Sequence, residues 1–196
     1  MKRNPWPWLT LLAIVLFTGL APLEKTLGAN IRLVYLHGAW VWVGIGVFGL
    51  AALAGLAGLL GWKPARRASE SLGWTGLLLW LTYLPVSMAV MRINWGGFYF
   101  DEPRWRIPMT FAVVGVLLQA GLWLLHNRLL TAAGNLGFGA ALWWSMFHMQ
   151  SVLHPDSPVF QSNSLRIQVF FGGLLLLMGA LALQIAAYLF SKTRQN

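Results

Sequence analysis

His37 and His148 lie near the ends of two separate apolar runs, and neutral imidazole is a common ligand for transition metals. Between them, residues 94–107 read Asn-Trp-Gly-Gly-Phe-Tyr-Phe-Asp-Glu-Pro-Arg-Trp-Arg-Ile. Trp95, Phe98, Tyr99, Phe100 and Trp105 offer ring faces on which a planar ligand could stack. Arg92, Arg104 and Arg106 can grip carboxylates bidentately, a geometry that lysine does not reproduce. Gly96-Gly97 permits close backbone approach, and Asp101 can orient the segment through backbone or arginine contacts. These residue types together suit a flat, anionic, metal-bearing ligand. The plainer reading is an interfacial aromatic belt with its arginines on lipid phosphates.

Two further histidines fit less well. His126 sits beside Asn127-Arg128 at the end of an apolar run and is expected to face headgroups. His154 precedes Pro155, which biases it away from helix and into a loop, where it is the next candidate ligand.

These groups must be positioned by membrane helices. The 196-residue chain is 58% hydrophobic, with a mean hydropathy of +0.63, which excludes an ordinary soluble domain. The fold class expected is all-α and polytopic, a single domain over residues 1–196, with six transmembrane spans near 6–23, 33–62, 72–91, 108–125, 129–149 and 167–190. The first span follows Lys2 and Arg3 without a small-x-small cleavage site, so it is expected to remain uncleaved. A net charge of +9 would suggest nucleic acid in a soluble protein, but the basic residues cluster at span ends and no nucleic-acid partner is expected. The absence of cysteine excludes disulfides, thiolate ligands and covalent cofactor attachment through sulfur.

Sidedness follows from those charges. Placing both termini inside puts Lys2, Arg3, Lys63, Arg66, Arg67, Arg128, Lys192 and Arg194 on the inner side, the larger basic set. Four of the five acids, Glu24, Asp101, Glu102 and Asp156, then fall outside. Counting about 20 residues outward from each inner boundary brings His37 and His148 to the same outer depth, beside the aromatic segment. The second span also carries small residues four apart, Ala51 with Gly55, Ala54 with Gly58 and Ala57 with Gly61, which predicts close helix packing. Pro85 predicts a kink in the third span.

The residues also resemble a known family, the CcmC type of the cytochrome c maturation proteins. Ile31-Arg-Leu-Val-Tyr-Leu-His37 is similar to that family's Arg-Ile-x-Tyr-Leu-His segment, and Trp143-Trp144-Ser-Met-Phe-His148 to its Trp-Trp-x-x-Leu-His segment. Trp95-Gly-Gly-Phe-Tyr-Phe-Asp101, with Arg104 following, sits where the family carries a tryptophan-rich signature ending in Trp-Asp-x-Arg. Gly38-Ala39 stands where Val-Pro is usual, and Phe98-Tyr99-Phe100 where tryptophans are usual. The chain is also shorter than the family pattern.

What the resemblance implies is non-covalent b-type haem on the extracytoplasmic face of the inner (cytoplasmic) membrane. It casts His37 and His148 as axial ligands, the five aromatic residues as a platform, and Arg92, Arg104 and Arg106 as partners of the propionates. It also implies membrane lipid, a haem chaperone and ABC-type transporter subunits as partners, in a protein that binds and presents haem and is no enzyme. Two alternatives use the same residues differently: a b-type haem redox subunit serving a quinone, and a ligand-free scaffold whose aromatic loop docks another protein.

Overall fold

The computed structural model describes residues 5–25, 27–149, 159 and 162–193. Lys2, Arg3, Arg194, His154 and Asp156 lie outside the described residues. Six helices follow one another: α1 (Trp6–Gly19), α2 (Ile31–Leu59), α3 (Lys63–Trp95), α4 (Pro103–Leu125), α5 (Arg128–His148) and α6 (Leu165–Thr193). The protein is all-α and multi-pass. Among the described residues, α2, α3, α4 and α6 are long and apolar enough to cross a membrane. Their outward faces are apolar too: Leu117, Leu176 and Leu183 are all exposed, as expected where the surrounding medium is lipid.

Helix α1 has 14 residues, about 21 Å of rise, and ends short of the expected boundary because the residue before Pro22 is biased out of helix. α5 has 21 residues, but Thr131 and Asn135 dilute its apolarity. The six expected helices are therefore present, and four meet the length and hydropathy of a span.

The largest departures from expectation are at both ends of α3 and at the start of α4. Residues 63–70 were expected to form a charged loop, yet they are the first two turns of α3. Pro64 is tolerated there because first-turn N–H groups have no helical partner to lose. The α2–α3 connection shrinks to residues 60–62, where Gly61 takes φ 108° and Arg66 donates from Nε to the Gly58 carbonyl at 2.9 Å. At the other end α3 runs on to Trp95, and Gly96 at φ 74° closes it. α4 starts at Pro103, not Pro108. The aromatic segment is thus a loop only over residues 96–102. Charged and aromatic side chains ended the hydropathy windows, whereas the backbone stays helical past the hydrocarbon. α3 also passes through Pro85 without interruption.

Two apolar clusters hold the bundle. Ile14, Tyr35, Phe170, Leu174 and Met178 join α1, α2 and α6, with Phe17 stacked on Phe170 at 4.6 Å. Phe48, Leu77, Trp80, Tyr83, Phe138 and Leu142 join α2, α3 and α5, and Ala112 adds α4. Beneath the second cluster runs a buried polar chain. Gln119 Nε2 donates to Asn135 Oδ1 at 2.7 Å, Asn135 Nδ2 donates to the Ser69 carbonyl at 2.8 Å, and Ser69 Oγ donates to the Ala51 carbonyl at 2.8 Å. It ties four helices at one level. Interhelical hydrogen bonds of this kind in membranes average about 0.6 kcal/mol each.

Small residues let those backbones meet, as expected of Ala51 and Gly55. A methyl added at Gly55 would run into the Ala132 carbonyl of α5. One added at Gly139 would lie 2.7 Å from Ala52 Cβ and 2.8 Å from the Phe48 carbonyl. The opposing atoms are backbone or Cβ and cannot swing aside. Gly139→Leu is therefore expected to destabilise by at least about 1–3 kcal/mol, the usual range for overpacking. Gly137→Leu, two residues away with open space around it, is expected to leave stability unchanged. Thermal unfolding of the two variants in detergent checks the difference.

Candidate functional site

At one end of the bundle, α2, α3, α4, α5 and α6 line a cavity of about 420 Å³, within the range of small-molecule and cofactor sites. α2 contributes His37, Val41 and Trp42; α3 contributes Tyr83, Ser87, Met91 and Trp95. The latter four stand four residues apart, so one stripe of α3 faces the space. Glu102, Arg104, Trp105 and Pro108 come from the start of α4, Met146 and Phe147 from the end of α5 with Met149 just beyond, and Phe171 from α6.

His37 sits against α3, its ring 5.8 Å from that of Tyr83, and its Nδ1 is buried. The α2–α3 register there is held by Trp40 Nε1, which donates to the Leu79 carbonyl at 3.1 Å. Trp80 Nε1 donates to the Pro108 carbonyl at 3.0 Å and holds α4 to the same floor. Trp105 is 8% exposed, its ring 5.7 Å from Phe100. Of the expected site residues, the structure brings His37, Trp95, Arg104 and Trp105 to one cavity.

The remainder sit elsewhere. His148 closes α5 but does not line the cavity: its ring stacks on Trp144 at 3.8 Å, and its Nδ1 lies 2.9 Å from the Trp144 carbonyl. Trp144 and His148 occupy one exposed face of α5, while Met146 and Met149 occupy another. Phe98, Tyr99 and Phe100 are exposed, Phe98 lying parallel to Phe100 at 5.8 Å and Tyr99 donating to the Trp95 carbonyl at 3.2 Å. Arg92, Asp101 and Arg106 are exposed as well, and Arg92 donates to the Gly96 carbonyl, bracing the turn. His126 is a turn residue on the opposite side, with φ 48° at the end of α4.

The residue pattern assigned no site role to Glu102 or to Met91, Met146 and Met149. Glu102 is 4% exposed and faces the same space as Arg104, so an acid and a base share the cavity. The available signal was Glu-Pro before an apolar run, which marks a helix start but gives no direction to the Glu102 side chain. Methionine spacing alone reads as core, and nothing in sequence separates Met91, Met146 and Met149 from packing residues. Imidazole, thioethers, large aromatic rings and one guanidinium can together hold a flat, partly apolar ligand that carries a metal and a carboxylate.

No family model matches the chain. A curated protein of Arabidopsis thaliana, described as a putative cytochrome c biosynthesis ccmC-like mitochondrial protein, is 32% identical over 100 residues. That stretch covers 50% of this chain and 39% of the relative, so the chain matches well under half of the relative's length.

The division between cavity and outer loop is directly measurable. Trp105→Ala removes a buried ring and is expected to cost about 3–5 kcal/mol, as truncating a buried Trp does. Phe98→Ala, at an exposed position, is expected to stay within about 0.5 kcal/mol of the parent. Thermal unfolding of both variants decides whether ring burial differs as described.

Proposed function

We propose that this protein binds non-covalent b-type haem in the cavity around His37 and presents it at the extracytoplasmic face of a cytoplasmic membrane for cytochrome c assembly. The observation that carries this reading is the cavity: an imidazole, three tryptophans and an arginine converge on one space large enough for a cofactor. The similarity to a ccmC-like protein supports the same assignment independently.

In this reading His37 offers a neutral ring nitrogen to the iron, while Trp42, Trp95 and Trp105 bury the macrocycle. Arg104 engages one propionate. Glu102, in the same cavity, limits how much negative charge the site accepts and so favours release over permanent retention. When bound, the haem would supply a redox-active iron that His37 would hold. The chain's own task is to hold, orient and shield it, and the reading requires binding and handover with no covalent step by a protein side chain. His148, at the end of α5, is the second candidate ligand of this reading and would have to leave its stack on Trp144.

All six helices take part in the membrane domain, with both termini inside. The exposed aromatic loop lies on the delivery side, and the resemblance to CcmC-type proteins supports a haem chaperone and ABC-type transporter subunits as partners beside membrane lipid. Single cysteines in this cysteine-free chain test the sidedness. At the exposed positions Lys63 and Asp101, an impermeant thiol reagent applied to intact cells is expected to label Asp101→Cys and spare Lys63→Cys. The opposite pattern reverses the orientation.

Haem binding itself is tested by the absorption spectrum of purified protein after hemin addition. A Soret band is expected in the parent, and His37→Ala is expected to lower haem per folded molecule about tenfold or more through loss of an axial bond. A parent protein with no Soret band sinks the reading.

A further inference from the structure

We infer that one net-anionic phospholipid binds on the flank of the bundle, its acyl chain in a groove between α2, α3 and α6 and its phosphate on Arg66 and Arg67. The site is separate from the cavity around His37 and does not depend on the haem reading.

The groove holds about 230 Å³ and its lining is almost wholly apolar. Val43, Gly46 and Leu50 come from α2, Leu72 from α3, and Gly179 and Leu183 from α6. Two glycines make it deep. A Cβ added at Gly55 or Gly139 meets a neighbouring backbone, whereas one added at Gly46 or Gly179 meets no atom within 4 Å. The space that these two side chains leave open is therefore not taken by another helix of this chain.

Both long walls lead to an arginine. On α6, Gly179, Leu183 and Phe190 share one stripe, and the Arg67 guanidinium lies 5.2 Å from the centre of the Phe190 ring. On α2, Val47 and Gly58 share a stripe, and Arg66 Nε donates to the Gly58 carbonyl at 2.9 Å. Gly179 to Phe190 and Val47 to Gly58 each rise about 16 Å. That matches one leaflet, half of the ~30 Å of hydrocarbon, and so one acyl chain with its phosphate at the arginines. The lined stretch of α2, from Val43 to Leu50, rises only about 10 Å, much less than a spanning partner helix would cover.

The charge at that end lacks a counterpart. Lys63, Arg66 and Arg67 stand in the first two turns of α3, where no acid lies in the first turn and no side chain caps the helix. Cations there oppose the helix dipole, while an anion would be stabilised by the dipole and the guanidiniums together. The nearest acid on α3, Glu70, turns to α5, 3.7 Å from Arg128. Among the described residues Arg67 meets the Phe190 ring and no carboxylate. A zwitterionic headgroup would add its own cation to three already present, so a net-anionic one fits better. Basic pockets between membrane helices take such headgroups in general.

Native mass spectrometry of the purified full chain, with phosphatidylglycerol or phosphatidylcholine of the same acyl chains, tests the inference. The parent is expected to retain one phosphatidylglycerol, about tenfold or more tightly than phosphatidylcholine. Arg67→Gln, which leaves the Arg66 bond in place, is expected to bring the two lipids within about twofold. Gly46→Leu combined with Gly179→Leu fills the groove and is expected to weaken both lipids about tenfold, while Gly137→Leu, an equally open glycine on α5, changes neither. Equal retention of the two lipids by the parent overturns the inference, as does unchanged phosphatidylglycerol retention in the filled variant. Displacement of the lipid by inorganic phosphate would mark a free-anion site instead. A dimeric parent that becomes monomeric on filling would assign the groove to a second copy of the chain, and either result sinks the lipid assignment. Should the filled variant not fold, Arg67→Gln decides alone.

Discussion

The arrangement of this protein depends on how tightly α2 can be approached by its neighbours within lipid. Apolar side chains gain little from leaving lipid for one another, so close backbone approach and internal hydrogen bonds must do what hydrophobic burial does in water. Gly55 and Gly139 allow α5 to lie on α2 with nothing between the backbones. The Gln119–Asn135–Ser69–Ala51 chain then fixes the rotation of four helices, because its polar groups would otherwise face hydrocarbon. The cavity lies toward the end of the bundle away from that polar chain.

This division of labour explains the unequal chemistry of the two ends. The turns at the end away from the cavity are short, Gly61 between α2 and α3 and His126-Asn127 between α4 and α5, with Asn127 capping α5 through bonds from Leu129 and Leu130. Such turns hold helices together and enclose nothing. At the cavity end α3 runs on to Trp95 and α4 begins with a charged turn, so both carry polar and aromatic residues beyond the apolar run while still helical. Side chains on rigid helix ends are placed more reproducibly than side chains on a loop. Trp95, Arg104 and Trp105 owe their place in the cavity to that extension.

Much of this was legible in the sequence, and the reason is depth. Apolar run lengths and basic boundaries locate residues along the membrane normal, so His37 and His148 were both expected near the ends of their helices; His37 lies near the start of α2 and His148 at the end of α5. The depth of His148 required α5 to begin before Gly134-Asn135. It does, because Asn127 caps it and Asn135 finds buried partners, which keeps a polar residue within a helix. Rotation about the helix axis was not legible. Apolar periodicity is nearly absent in helices with lipid on one side and apolar neighbours on the other, so nothing told Met149 from His148 or turned Glu102 inward. The loop boundaries failed for a related reason: hydropathy reports where hydrocarbon ends, not where a helix does.

The aromatic segment therefore divides into two structures. Trp95 and Trp105 sit on helix ends and line the cavity, while Phe98, Tyr99 and Phe100 form an exposed ridge held by Arg92 on the Gly96 carbonyl and by Tyr99 on the Trp95 carbonyl. A single platform formed by all five rings would require the ridge to fold over the cavity, and Gly96, already at positive φ, is the joint that such a movement would use. In the present arrangement the ridge faces away from the cavity, at the level of the interface, where aromatic side chains are stable against headgroups or against another protein. The cavity and the exposed ridge are therefore adjacent but separate surfaces, joined through the tilted contact of Phe100 with Trp105.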